Sequence, residues 1–218
     1  MAIPKKSRLI LALDETDPEK ALAVAQAVGD IVDAIKINYP LVLSCGTEMV
    51  TRLSKSAHII CDFKVADIPN TNRLIVEQAV KLGASGVIVH GFVGHDSVEA
   101  CVSAAGDGDV FVVTEMSHPG GVEFTQKVAD ELVKVASESG ASGIIAPATR
   151  PGRLGEIKKI AGNLMILSPG VGAQGGTAGD AILAGADYII VGRSIYRADD
   201  PRAAAEKLAS EISSALLA

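Results

Sequence analysis

The chain has 218 residues, 48% of them hydrophobic, and a formal net charge of −6. That length suffices for one large core, and barrels or α/β layers of this size commonly form a single domain. The acidic balance excludes a general basic surface for nucleic acid, and 3% aromatic residues without tryptophan exclude a stacking platform for bases.

The N-terminal stretch MAIPKKSRLILALD carries charges and then an apolar run too short for a signal segment, ended by Asp14. No apolar stretch reaches the length of a membrane span, so a cytoplasmic protein is expected. Cys45, Cys61 and Cys101 lie far apart, with no metal-ligand spacing, and read as buried reduced thiols.

RLILALD is the first of eight short apolar runs. Asp17-Pro18 then opens the amphipathic stretch DPEKALAVAQAVGD, with Gly29 at its stop. AIKIN carries Lys36. HIICDFK carries Asp62 and Lys64, and Asp67 follows it before NRLIVEQAVKLG, which Gly83 closes. GVIVH ends at His90 and precedes SVEACVSAAG. DVFVVTEM leads through Glu115 to Ser117, before ADELVKVASESG and Gly140. GIIAPAT ends at Thr149 and Arg150, ahead of PGRLGEIKKIAG. MILSPGVG enters the glycine-rich stretch Pro169 to Gly176, and YIIVGRS ends at Gly192 and Arg193. Asp200-Pro201 opens the last helical stretch, DPRAAAEKLASEISSALLA.

Near-continuous apolar strands alternating with helices predict a parallel sheet covered by helices. Eight such units predict a closed (β/α)8 TIM barrel, an α/β fold in one domain over residues 1–218. Active residues of such a barrel gather at the carboxyl ends of its strands. The polar side chains named above fall at almost every one of those ends.

Asp62 and Lys64 are two apart, so they and Ile60 are expected on one face of the third strand. Lys36 on the neighbouring strand and Asp14 beyond it extend an alternating array that holds a lysine charged and in place. A structural ion pair is the other reading. The stretch PGVGAQGG places Gly170, Gly172 and Gly175 in a G-x-G-x-x-G pattern. Its position after the seventh strand does not fit a dinucleotide fingerprint. It fits a phosphate site made of backbone N–H groups and the Arg193 guanidinium. The length of that loop and Gln174 suggest a lid. Ser117-His118 lacks the elbow of a nucleophilic serine, and Ser117 reads as a hydrogen-bond partner to ligand. Glu115, Asp62 and Asp67 are oxygen donors of a kind that suits Mg²⁺, but Lys64 stands between the aspartates, and no metal is expected.

Taken together, AIKINYPLVLS, DFKVADIPNTN, TEMSHPG, TRPGRL, SPGVGAQGG and IIVGRSIY resemble the orotidine 5′-monophosphate decarboxylase family, of the short microbial or archaeal type, over almost the whole chain. The resemblance implies cofactor-free decarboxylation of orotidine monophosphate (OMP) to UMP in pyrimidine biosynthesis. Lys64 would protonate C6 as carbon dioxide leaves, flanked by Asp62 and Asp67. Asp62 would act either by repelling the substrate carboxylate or by aiming Lys64. Asp14, Lys36 and Thr71 would contact the ribose, and Ser117 the pyrimidine. Gln174 would bridge lid and phosphate. Arg193, with the backbone of Pro169, Gly170, Val171, Gly172 and Gly192, would hold the phosphate. Asp67 and Thr71 would cross into the partner's site of a homodimer. Two positions depart from the family pattern. Asn38 stands where glycine is common and is expected to crowd the second strand end, and Gly120-Gly121 is expected to loosen the loop after Ser117. The alternatives are a Mg²⁺-dependent hexulose-phosphate synthase or keto-gulonate-phosphate decarboxylase of the same superfamily, or a non-catalytic nucleotide-binding barrel.

Overall fold

The structure is a computed structural model that describes residues 3–217. Met1, Ala2 and Ala218, which the sequence reading included in the domain, lie outside the described residues. The strands are β1 (Leu9–Leu13), β2 (Ala34–Ile37), β3 (Ile59–Val65), β4 (Gly86–His90), β5 (Asp109–Val113), β6 (Gly143–Ile145), β7 (Met165–Pro169) and β8 (Tyr188–Val191). Each pairs in parallel with the next, and β8 pairs with β1 to close the barrel. The expected eight-stranded barrel is therefore the observed one.

The helices are α1 (Pro18–Val28), α2 (Tyr39–Cys45), α3 (Glu48–Leu53), α4 (Pro69–Lys81), α5 (His95–Ala105), α6 (Thr125–Glu138), α7 (Pro151–Ile160), α8 (Ala178–Leu183), α9 (Arg193–Tyr196) and α10 (Pro201–Leu216). Asp17 caps α1 by accepting from the N–H groups of Glu19 and Lys20, and Asp200 caps α10 by accepting from Ala203. Each has proline in its first turn, where a missing N–H costs nothing. Gly83 and Gly140 follow their helices with φ of 105° and 75°, the left-handed conformation that glycine reaches without strain. Gly29, expected in the same role, stays right-handed at φ −61°. The sequence reading did not anticipate α2, α3, α8 and α9. They run four to seven residues, too short to display a helical period.

The strands alternate between two buried faces. Leu9, Leu11 and Leu13 pack outward with the helices, in one cluster with Ile35, Ile37 and Val87. Ile10 and Ala12 pack inward with Ile60, Ile88, Phe111, Leu167 and Ile190. Burial on both sides is why these strands read as unbroken apolar runs. Each large aliphatic side chain so buried contributes about 1.5–3 kcal/mol. Cys61 and Cys101 are buried as expected, and burial pushes the Cys61 thiol up to about 12. Cys45 departs from that reading. It is only half-buried, and its Sγ lies 3.2 Å from the Thr16 carbonyl.

The amino-terminal end of the barrel is closed by the segment Ile3 to Arg8. Tyr188 donates its hydroxyl to the Ile3 and Pro4 carbonyls at 3.1 and 3.2 Å. Asp33, 3% exposed, accepts from the N–H groups of Lys6, Ser7 and Arg8 at 3.0, 3.1 and 2.7 Å. Asp33→Ala strips three donors of their acceptor in a buried corner. The expected loss is about 3 kcal/mol, read as a lower urea midpoint at unchanged slope.

Candidate active site

A cavity of about 430 Å³ opens at the carboxyl ends of the strands, within the size range of small-ligand sites. Its floor is apolar: Ala12, Ile88, Val113, Ile145 and Ile190 point in from five strands. Around this floor stand Asp14, Lys36, Asp62, Lys64, Ser117 and Arg193.

The charges on β2 and β3 form a bonded triad. The Lys36 ammonium meets Asp62 Oδ2 at 2.8 Å. The Lys64 ammonium meets Asp62 Oδ1 at 2.8 Å and Oδ2 at 3.0 Å. The Asp62 and Lys36 side chains are 7% and 8% exposed, whereas that of Lys64 is 32% exposed. Burial alone would raise the Asp62 carboxyl, but the two ammonium groups outweigh it and hold the acid below its usual range. The outcome is a buried carboxylate gripping two cations, one of which keeps an open side. Asp14 Oδ1 is buried and without a hydrogen-bond partner in the same cavity.

The contact between Asp62 and Lys64 is the expected one, but a regular pleat does not produce it. The β3–β4 register passes from Cys61↔Val87 to Val65↔Val89, four residues of one strand against two of the other. Within this bulge Lys64 has φ 43°. A left-handed conformation costs a non-glycine residue about 1–2 kcal/mol. The chain thus holds strain at the residue whose ammonium faces the cavity.

His90 ends β4 beside this array, its ring tilted by 41° against that of Phe92 with centroids 4.7 Å apart. Burial, then the nearby Lys64 charge, push its pKa down, so the ring is held neutral. It does not line the cavity.

On the opposite wall the loops after β5 and β6 are pinned together. Glu115 is fully buried and accepts from Arg150 Nε at 2.8 Å, Arg153 Nε at 3.1 Å and Gln126 Nε2 at 3.0 Å. Arg150 also donates to the Met116 carbonyl, and Thr149 donates to the Ser117 carbonyl at 3.0 Å. Glu115, Thr149 and Arg150 were read as polar groups at strand ends. Glu115 also borders the cavity, and the bonds of all three shape the loop that carries Ser117. At Gly121 of that loop the structure shows a packing role beside the expected looseness. A side chain at Gly121 would lie 2.3 Å from the Met116 carbonyl oxygen, so glycine there permits a close backbone approach. Asn38 likewise does not simply crowd its strand end. Its side chain accepts from the Tyr39 N–H at 2.7 Å and caps α2, while the residue lines the cavity.

Pro169, Gly170, Val171 and Gln174 reach the cavity from the glycine loop, and Gly192 and Arg193 from β8 and α9. The loop is knitted internally: Gly172 N–H donates to Gly176 at 2.9 Å, Gly175 to Gly172 at 2.8 Å, and Gly176 to Gly170 at 3.1 Å. Gly172, expected among the ligand-binding backbone groups, therefore spends its N–H inside the loop and does not line the cavity. Asp67 and Thr71 also lie outside it. Asp67 borders a separate surface hollow with Ile68, Pro69, Asp96 and Ser97. Sequence reasoning missed Tyr196, which lines the cavity three residues after Arg193. Its signal was the one-turn spacing on α9.

Among the described residues, no three His, Cys, Asp or Glu side chains gather in a way that could hold a metal ion. The candidate oxygens for Mg²⁺ are dispersed, Asp62 to two lysines and Glu115 to two arginines. No helix among them is long and apolar enough to cross a membrane.

Fold and cavity define a (β/α)8 barrel with a lysine–aspartate–lysine array at its mouth and a glycine loop and arginine after its last strands. The comparisons with known proteins narrow this class. Residues 7–208 match the model of the orotidine 5′-phosphate decarboxylase / HUMPS family, and the chain belongs to that family. The chain is 58% identical to the orotidine 5′-phosphate decarboxylase of Methanococcoides burtonii, over 95% of this chain and 98% of that one. It is 52% identical to the enzyme of that name from Thermococcus kodakarensis, again over 95% and 98%. The crystal structure of the Methanocaldococcus jannaschii orotidine 5′-monophosphate decarboxylase with the inhibitor BMP superposes with a TM-score of 0.90, at 47% identity, covering 97% of this chain and 99% of that one. The Pyrococcus horikoshii structure gives 0.88 at 48% identity, covering 94% and 99%.

Proposed function

We propose that this chain, a single domain over residues 1–218, is a cofactor-free carboxy-lyase that converts OMP to UMP and carbon dioxide in the cytoplasmic synthesis of pyrimidines. The observation that carries the proposal is the bonded Lys36–Asp62–Lys64 triad facing the cavity; the names of the relatives agree with it.

Decarboxylation at C6 leaves an electron pair on an sp² carbon with no conjugated sink. A fixed ammonium at that carbon stabilises the pair as it forms and then supplies the proton. Lys64 fills this role. Asp62 aims it, and Lys36 helps hold Asp62 as the carboxylate, so no charge needs to be reoriented during the reaction. Asp14 and Lys36 contact the ribose, and the unpartnered Asp14 Oδ1 suits a sugar hydroxyl. Ser117 contacts the base. Arg193, with the backbone of Pro169, Gly170, Val171 and Gly192, holds the phosphate, and Gln174 closes the loop over it. Gly172 supports that loop from within.

Decarboxylation by this route is indifferent to EDTA. A chelator that abolished turnover, with recovery on adding Mg²⁺, would select the sugar-phosphate chemistry of the same superfamily instead.

Asp67 and Thr71 are assigned to the neighbouring site of a homodimer. Their place outside their own cavity supports this, as do the apolar residues exposed nearby, Ile68 at 64% and Phe92 at 60%. Mixing inactive Lys64→Ala chains with inactive Asp67→Ala chains is expected to restore activity. Each mixed dimer then has one site with an intact Lys64 and an Asp67 from the other chain. No recovery after subunit exchange would show that both residues serve the same chain.

A further inference from the structure

The geometry points to Tyr39 as a positioning residue for Lys64, acting through the carbonyl of Phe63. This rests on the proposed role of Lys64 as the proton donor.

Register pairs run from β2 to β3 only as far as Ile37↔Cys61, and those to β4 stop at Cys61 and resume at Val65. Asp62, Phe63 and Lys64 thus have no registered strand partner on either side. Into this gap comes Tyr39, two residues beyond the end of β2. Its hydroxyl donates to the Phe63 carbonyl at 2.9 Å. Its ring stacks on the Phe63 ring, with centroids 5.4 Å apart and planes 22° from parallel. Asn38 in turn fixes the Tyr39 backbone by accepting from its N–H. Burial, then the Asp62 charge, push the Tyr39 phenol up, so it remains a donor.

The consequence for Lys64 is geometric. The angle φ of Lys64 measures rotation of its side-chain-bearing carbon against the peptide plane that contains the Phe63 carbonyl. Fixing that carbonyl fixes the plane before Lys64, and the pairing of Val65 with Val89 fixes the chain after it; held from both sides, Lys64 keeps its φ of 43° and its side-chain direction. A lysine left to itself prefers the right-handed or extended regions. Either would swing its ammonium away from Asp62 and the cavity. Tyr39 replaces the missing strand and makes the rare conformation the populated one. Because Tyr39 is 47% exposed, water can satisfy the freed carbonyl when the hydroxyl is removed. What is lost is direction more than stability.

The test uses the full-length protein with Tyr39→Phe, which keeps the stacked ring, and Tyr39→Leu, which does not. Tyr39→Phe is expected to lower kcat for OMP about tenfold. KM, the Kd for UMP and Tm should stay near wild type, because the phosphate and ribose contacts are untouched. Tyr39→Leu should lower kcat further in the same pattern. A kcat for Tyr39→Phe within twofold of wild type would overturn the proposal. So would a fall in kcat matched by proportionate weakening of UMP, which would mark a general collapse of the site. Lys64→Ala assayed alongside separates the two readings. If it is inactive while Tyr39→Phe is as fast as wild type, only the role of Tyr39 falls. If it turns over like wild type, Lys64 is not the donor and both readings fall.

Discussion

Lys64→Ala is expected to lower kcat for OMP by at least about four orders of magnitude while UMP still binds. Two effects go with one ammonium. Proton delivery by a positioned side chain is worth about 10²–10⁴-fold, and one preorganised charge facing a developing anion about 10²–10³-fold. The fold should survive. Asp62 keeps its 2.8 Å contact to Lys36, and the Lys64 side chain is a third exposed. Alanine inherits the φ of 43°, so the strain is not relieved. Rapid-quench kinetics with a parallel thermal melt checks both halves. A loss below about a hundredfold with an intact fold would remove Lys64 from the chemical step.

The second large effect is expected far from the breaking bond. Arg193→Ala should lower kcat/KM by about 10²–10³-fold, the worth of a charge-assisted bidentate contact in a partly enclosed site. Phosphate binding energy can be spent on closing the glycine loop and aligning the base, so kcat should fall along with affinity. The loop suits that use. It is knitted by its own backbone bonds into a unit and borders the cavity through Val171 and Gln174. Steady-state kinetics over a range of OMP concentrations reads the two components. A loss under about threefold would sink this division of labour.

The barrel was legible because its strands are buried on both faces and several of its longer helices carry capping or proline signals at their starts. Asp17-Pro18 and Asp200-Pro201 mark α1 and α10 where the structure has them. The segment between β2 and β3 was not legible. It holds two helices of seven and six residues separated by Gly46 at φ 86°, and neither is long enough to show a periodic face. In the site, the types and spacing of Lys36, Asp62 and Lys64 sufficed to bring them together, since a strand end and its neighbour leave few other partners. The bulge that turns Lys64 was hidden, because a register shift depends on the opposing strand and leaves no mark in the local pattern. Tyr39 was hidden for the same reason. Its function lies in a carbonyl 24 residues away. The partners of Glu115 were hidden because a carboxylate at a strand end looks the same whether it meets a ligand or, as here, one arginine just before α7 and one on it.

The central claim is that a lysine held by carboxylate and backbone, without metal or cofactor, removes carbon dioxide from OMP. The most direct measurement is the loss of OMP absorbance in metal-stripped protein with EDTA present, wild type beside Lys64→Ala. The account predicts steady turnover to UMP by wild type and a flat trace from the variant. Silence from wild type, or equal rates from the two proteins, would contradict it.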